Sequence, residues 1–386
     1  MKLPTCRIAI LATSLGLAGL VPISIAHAQG YRFTDLGAPG GAVSSANAIS
    51  NNGLITGLTY AAGAANSHAT FWNSSGGFDL GTLGGSFSSG MAINNQGQIA
   101  GFAADGRATL WQGGNGSVLG TLGGAHSYAS GINNAGQVVG ESYIDQNNVI
   151  FHATLWQAGA AIDLGTLGGR FSAANSINDL GQAVGRASVA DNSGQHAALW
   201  SGGHVLDLGT LGGNYSTAWA INDNGIVAGQ SDYVASGIIS EHATLWRNGH
   251  IVDLGTLPGG AESLASAVNL GGQVVGYSFY GSSSAPHAIL WQNDAMIDLN
   301  TLLPGYARQA GWVLNAASGI NDYGWIVGSA WNAHTGATHA YLLAPVPEPS
   351  SWAMLLGGLC ALIWVARRRT RHLSADDTGK HPLSAA

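Results

Sequence analysis

The sequence predicts an all-β protein, a seven-bladed β-propeller of four-stranded blades closed by its N-terminal strand. Three observations predict it. A unit of about 44 residues recurs seven times. Each copy offers four short apolar or alternating runs separated by Gly, Asn and Asp turns. The first and last copies are out of phase by one strand. A signal helix at the N-terminus and a transmembrane helix at the C-terminus complete the expected chain.

The unit is read from its landmarks. An Asp-Leu element starts at Asp35, Asp79, Asp163, Asp207, Asp253 and Asp298, and Val118-Leu119-Gly120 stands in once. Most copies continue as Thr-Leu-Gly-Gly, as at Thr82-Leu83-Gly84-Gly85 and Thr210-Leu211-Gly212-Gly213. A run of small residues then ends in Ile-Asn, as at Ile132-Asn133 and Ile221-Asn222. A Gly turn leads into Val-Val-Gly or a variant, such as Val138-Val139-Gly140. After a variable loop comes His-Ala-x-Leu-Trp, as at His152-Ala153-Thr154-Leu155-Trp156. Short runs bounded by turn residues read as strands, and no copy holds an amphipathic run long enough for a helix. Asn133-Asn134-Ala135-Gly136 and Asn222-Asp223-Asn224-Gly225 read as hairpin turns, with Gly where positive φ is needed.

The phase of the ends favours a ring over an open array. The body opens with a lone fourth-strand element, residues 31–36, and the last copy, residues 315–343, stops after its third strand. The opening strand therefore completes the last blade, and closure removes bare sheet edges. Ser127, Ala129 and Gly131, like Ser216, Ala218 and Ala220, alternate as small residues, which suits the crowded strand nearest the axis. The repeat resembles the HAF family of extracellular repeats, named for a His-Ala-Phe element. His68-Ala69-Thr70-Phe71-Trp72 comes closest to that name, and most copies carry Leu before Trp. The resemblance covers the body and brings no established activity.

The ends carry addressing signals. Lys2 and Arg7, an apolar run over residues 8–21 and Ala26-His27-Ala28 are the three parts of a secretory signal peptide, with cleavage expected after Ala28. At the other end Val346-Pro347-Glu348-Pro349 precedes an uncharged stretch of about 15 residues and then Arg367, Arg368, Arg369 and Arg371. That stretch is short of the roughly 20 residues a full span prefers. Even so, the Arg cluster would hold its end on the cytoplasmic side, with Trp352 and Trp364 near the interfaces. Order and content resemble the PEP-CTERM sorting signal of Gram-negative bacteria. The resemblance implies an exosortase-type sorting protease as partner, processing near Pro347-Glu348-Pro349, and association with exopolysaccharide. A polar tail after the Arg block departs from the family pattern. The expected organisation is a signal peptide (1–28), a seven-repeat propeller (29–344), a Pro-rich sorting linker (345–351), a transmembrane helix (352–366) and a basic cytoplasmic tail (367–386). The expected route is export, anchoring in the inner membrane by the C-terminal helix, then release to the cell surface or beyond.

Composition bounds the partners. The chain carries a formal net charge of -7, and its body holds six Arg against seventeen Asp and Glu, with no Lys. An acidic body argues against nucleic acid and anionic membrane surfaces. The body also lacks Cys, because Cys6 and Cys360 lie in the two end segments, so disulfides do not hold it.

Repetition itself argues against a catalytic role for the most frequent polar residues. His68, His152, His196, His242, His287 and His339 occupy equivalent positions, with Arg107 in the second copy. Equivalent positions in different blades lie too far apart for metal–nitrogen bonds of roughly 2 Å. Each His is expected to bond a neighbouring blade's backbone. Asp79, Asp163, Asp207 and Asp253 are expected to accept backbone N–H bonds in the turn toward the next blade, with a His or Arg as a conceivable partner. Asp179, Asp223 and Asp322 sit in Asn-Asp-x-Gly turns that lack the alternating ligands and closing Glu of a calcium loop. The Gly-Gly pairs lack the Lys-Ser/Thr of a phosphate loop. Glu141, Glu241 and Glu262 are the only Glu of the body and imply no paired geometry. No catalytic residue, metal or cofactor is expected.

Information about function then lies where the copies differ. The crossovers after Gly-Gly and the loops before His-Ala share one face. They carry Phe87, His126, Arg170, Phe171, Asn214, Tyr215 and Glu262, with Asp145, Asp191, Asp232, Tyr233 and Tyr280. Phe87, Arg170, Phe171, Asn214, Tyr215, Asp232 and Tyr233 form the candidate ligand face. Exposed rings mixed with carboxylates and amides suit sugar stacking and hydrogen bonding. The expected function is a binding or structural component of the cell surface or exopolysaccharide matrix. The alternatives are a propeller-fold glycan hydrolase or lyase, favoured by an acidic pair converging in the central channel, and a purely structural surface module.

Overall fold

The computed structural model describes residues 30–61, 66–235, 237–281 and 285–346, with Cys360, Ile363 and Trp364 beyond them. The signal peptide, the sorting linker after Val346 and the basic tail lie outside the described residues, as does all but those last three residues of the apolar stretch. Among the described residues, no helix is long and apolar enough to cross a membrane.

The chain is all-β, and its strands pair in antiparallel sets of four. One set shows the plan: Ser127–Ile132, Val138–Tyr143, Phe151–Gln157 and Ala160–Asp163, each bonded to the next. Sets of the same kind begin at Val43, Ser89, Gly168, Gly212 and Ser263. The last set contains Trp312–Ile320, Ile326–Asn332 and Thr338–Pro345, and its fourth strand is Tyr31–Gly37 from the N-terminus. Tyr31 stands opposite Pro345 and Phe33 opposite Leu343. The first strand of each set packs against the first strand of the next, and Trp312–Ile320 packs against Val43–Ile49.

The core lies between neighbouring sets. Val139 and Ala153 of one set pack against Ala174, Ile177, Ala183 and Trp200 of the next. The Trp of the repeat is the largest buried member of six of these layers, as Trp72, Trp111, Trp156, Trp200, Trp246 and Trp291, while Tyr341 and Phe33 fill the layer at the last set. Such a side chain removes on the order of 200 Å² from water, which makes the Leu-Trp element the main apolar anchor of its set.

A β-bulge recurs at one place in every first strand. It leaves Asn47, Met91, Ser130, Asn175, Trp219, Ser266 and Ser318 out of the ladder. The Gly of Val-Val-Gly explains it. Opposite the bulge, a Cβ at Gly140 would collide with the Tyr128 carbonyl oxygen, and one at Gly185 with that of Ala173. Gly57, Gly101, Gly229, Gly276 and Gly328 stand in the same situation. The bulge pushes a carbonyl onto the second strand, and only a residue without Cβ accepts it.

The connection into the last set holds a five-residue helix, Gly305–Gln309, which the strand pattern does not anticipate. Pro304 starts it, and Leu299, Leu303 and Ala307 bury its inner side. Tyr306 Oη accepts from Phe33 N (3.1 Å) and donates to Phe33 O (2.8 Å), so this insert clamps the N-terminal strand.

Candidate ligand-binding face

The two ends of the sets differ in kind. At one end lie the Asn-Gly turns between first and second strands. There Asn178 Oδ1 accepts from Leu180 N and Gln182 N, while its Nδ2 donates to Gln182 Oε1 and to Asn222 O of the next set. Asn94, Asn133, Asn222, Asn269 and Asn321 make the same cross-set bond, Asn321 to Ser50 O. A second series runs outside it. Asn134 N donates to Asp179 Oδ1, Asp179 N to Asp223 Oδ1, Leu270 N to Asp322 Oδ1, and Asp322 N to Asn51 Oδ1. Asp179 and Asp322 thus serve neighbouring turns. These turns enclose a polar well of about 190 Å³, lined by residues from every set. Among the described residues, no group of His, Cys, Asp and Glu is arranged to hold a metal ion.

The repeated His residues correct one expectation. They bond the Asp of their own set, not a neighbour's backbone. His68 Nδ1 lies 2.7 Å from Asp79 Oδ2, His152 Nδ1 2.8 Å from Asp163, and His196 Nδ1 2.8 Å from Asp207. His242 pairs with Asp253 and His287 with Asp298. His339 pairs with Asp35 across 304 residues of sequence, at 2.9 Å. The other carboxylate oxygen accepts a backbone N–H two residues on, Gly81 for Asp79 and Gly165 for Asp163. Antiparallel pairing dictates the contact, because the third strand brings His beside the end of the fourth. In the second set both partners are absent together. Arg107 replaces His, Val118 replaces Asp, and the buried Arg107 Nε has no partner.

The opposite end carries the crossovers and long loops, and here rings gather. Phe87 meets Phe102 edge-on at 6.0 Å, and Phe102 meets Tyr128 at 5.4 Å. A second chain runs from His126 to Tyr143 (6.2 Å), Phe151 (5.6 Å) and Phe171 (5.2 Å). The Arg170 guanidinium lies over the Phe171 ring, 5.6 Å from its centroid. Tyr215 is 55% exposed. Asn214 N and Tyr215 N both donate to Asp232 Oδ2 at 3.1 Å. Asp232 is only 7% exposed, so it organises its own crossover and is not a free acceptor on the surface. Tyr233 stacks on His242, 4.3 Å between centroids and 13° between planes, and so covers a His–Asp pair. Asp145 and Asp191 are held below the ordinary carboxylate range, Asp145 by backbone N–H groups led by Ile150 and Asp191 first by the Ser193 hydroxyl.

Sequence reasoning named the three Glu of the body without a geometry. Glu141 Oε2 lies 4.0 Å from Arg186 Nη2. Burial pushes Glu141 up and Arg186 opposes it. Glu241 accepts from Gln230 Nε2 at 2.9 Å. Burial raises it, and the charges of Glu262 and Asp232 raise it further. Arg186, Gln230, Tyr128 and Tyr277 belong to this layer and were missed. The signal that locates most of them is the Gly of Val-Val-Gly, since Glu141, Arg186, Gln230 and Tyr277 each follow it by one residue.

Residues 345–369 match the model of the PEP-CTERM protein-sorting motif. The C-terminus carries a PEP-CTERM sorting signal. The signal implies export and processing for the cell surface. No curated protein matches the chain. Two TolB structures are similar in part. TolB from Acinetobacter baumannii aligns at 11% identity with a TM-score of 0.39, over 62% of this chain and 59% of that one. A protein assigned as TolB from Agrobacterium tumefaciens aligns at 12% identity with a TM-score of 0.37, over 79% and 91%. The chain thus spans less than two thirds of the Acinetobacter protein.

Proposed function

We propose that the chain is an exported surface protein whose body, residues 29–344, is a closed seven-bladed propeller of HAF type. In this proposal its crossover face binds a glycan of the envelope or exopolysaccharide matrix. Support for closure comes from the N-terminal strand beside Thr338–Pro345 and from the turn-to-turn bonds that return from Asp322 to Asn51. Support for binding comes from one contrast. Aromatic, amide and charged side chains that differ from copy to copy collect at the crossover end, while the Asn-turn end repeats. Rings and planar polar groups together are what sugar recognition uses.

Both ends of the body leave from the Asn-turn end. Val346 N donates to Gly30 O, and Pro345 lies beside the Asn321–Gly324 turn. A tether through residues 352–366, ended by the Arg cluster, would turn that end to the membrane and the crossovers outward. An exosortase-type protease would then cut near Pro347-Glu348-Pro349.

The purified full chain should bind a subset of oligosaccharides on a glycan array. Phe171→Ala and Tyr215→Ala should weaken that binding while the variants keep the native circular-dichroism spectrum. Binding to no glycan would sink the proposal. The hydrolase alternative draws on Glu241, a carboxyl raised by burial beside Glu262 and Asp232, as a general acid needs. It requires cleavage of a bound glycan that Glu241→Gln abolishes.

A further inference from the structure

The geometry points to a binding site at the crossover-side mouth of the axial passage, for the terminal residue of a neutral oligosaccharide. This inference rests on the glycan-binding proposal and deepens it. The bulges are its starting point. Every first strand expels one residue at one level, and each expelled residue is partly exposed and follows a buried one. Two of them show the direction. Asn47 Nδ2 reaches Gly90 O (2.8 Å) and Met91 Sδ (3.8 Å) on the next set, and Asn175 Nδ2 reaches Ala218 O (2.8 Å). They lie where the first strands of neighbouring sets meet. A repeated bulge with an unrepeated side chain fits the use of bulges to aim residues into sites.

One residue pair nearer the crossovers stands a second unrepeated layer. Tyr128 pairs with Glu141, Ala173 with Arg186, Thr217 with Gln230 and Leu264 with Tyr277. The Glu141 and Arg186 side chains are 21% and 29% exposed. Below them the indole Nε1 of Trp219 has no hydrogen-bond partner. The site thus gathers a guanidinium–carboxylate pair, an amide and the Tyr277 phenol, with the Tyr128 and Trp219 rings behind them, a set suited to vicinal hydroxyls and a pyranose face.

Charge and shape narrow the ligand. Arg186 is partnered by Glu141, while Glu241 and Glu262 stay close together, which repels uronates and sulfated sugars. In the proposed ring the first strands of every set surround the axis, and a site there admits a chain end and excludes the middle of a chain.

The test measures binding of the full chain to linear neutral hexasaccharides, α- and β-1,4-linked, and to cyclic counterparts that lack ends. Linear chains should bind, and cyclic and uronate-bearing ones at least about tenfold more weakly. Ser266→Trp, which fills the axis, and Arg186→Gln should each cost about tenfold or more while melting as native. If Ser266→Trp does not fold, Arg186→Gln decides. Native affinity in that variant, or equal binding of cyclic and linear chains, overturns the inference and leaves glycan binding on the outer crossovers standing. Absence of binding to every glycan overturns both.

Discussion

The Asn-turn end and the crossover end are built from the same strands, yet they are fixed by different means. At the Asn-turn end, buried side-chain amides bond backbone groups within their own turn and in the next set. Removing one leaves several buried partners unsatisfied, which is costly. At the crossover end, rings stack on rings and carboxylates serve local loops, so a single change disturbs little beyond itself. Stability is concentrated where the copies agree, and freedom to vary is left where they differ. Variable loops on a rigid frame are where binding resides in many folds.

The contrast can be broken most severely where the N-terminal strand joins the last set. Deleting residues 30–37 removes the partner of Thr338–Pro345, the Phe33 core contact and the Asp35–His339 pair. Circular dichroism should show loss of the cooperative transition, or a melting temperature lower by on the order of 10 °C or more. A native-like melt would mean that the last set does not need this strand. Next comes the amide series. Asn178→Ala should cost about 3 kcal/mol in denaturant unfolding, whereas Phe171→Ala should cost about 1 kcal/mol. Equal costs would erase the distinction between the two ends.

The second set allows a gain rather than a loss. Arg107→His with Val118→Asp should restore the missing pair and add roughly 0.5 kcal/mol beyond the sum of the single changes. A double-mutant cycle reads that coupling, and zero coupling would show that the pairs elsewhere contribute nothing measurable. The smallest effect concerns pH. Glu241 binds its proton more tightly in the fold than in the unfolded chain, because burial and Glu262 oppose its ionisation. Its contribution favours folding below the ordinary carboxylate value of 4.5 and is lost as pH rises through the raised folded value. Glu241→Gln should therefore shrink the fall in melting temperature between acid and neutral pH by roughly 1–2 °C. An enlarged fall would reverse the assignment.

Several features of the fold were legible in the residues. The Leu-Trp element, the Asn-x-x-Gly turns and the stray strand at residues 31–36 carry periodicity, turn chemistry and phase on their face. The pairing of His with Asp was only conceivable from the residues, because an antiparallel register sets it, 11 residues on for His68 and 304 residues away for His339. Gly140 and its equivalents were visible as Gly, but the bulge they permit appears only when two strands lie side by side. The helix at Gly305–Gln309 is too short to give a pattern and exists by packing against Phe33.

The sequence by itself determined the repeat, the strand content, the turns and the C-terminal sorting signal, because each rests on local chemistry within a few residues. Tertiary structure alone decided which side chains meet, His339 with Asp35, Glu141 with Arg186 and Tyr233 with His242, and that one residue per set is expelled from the first strand. Those meetings depend on strand register and on neighbouring sets packing face to face, and copies about 44 residues apart in the chain become adjacent only in the fold.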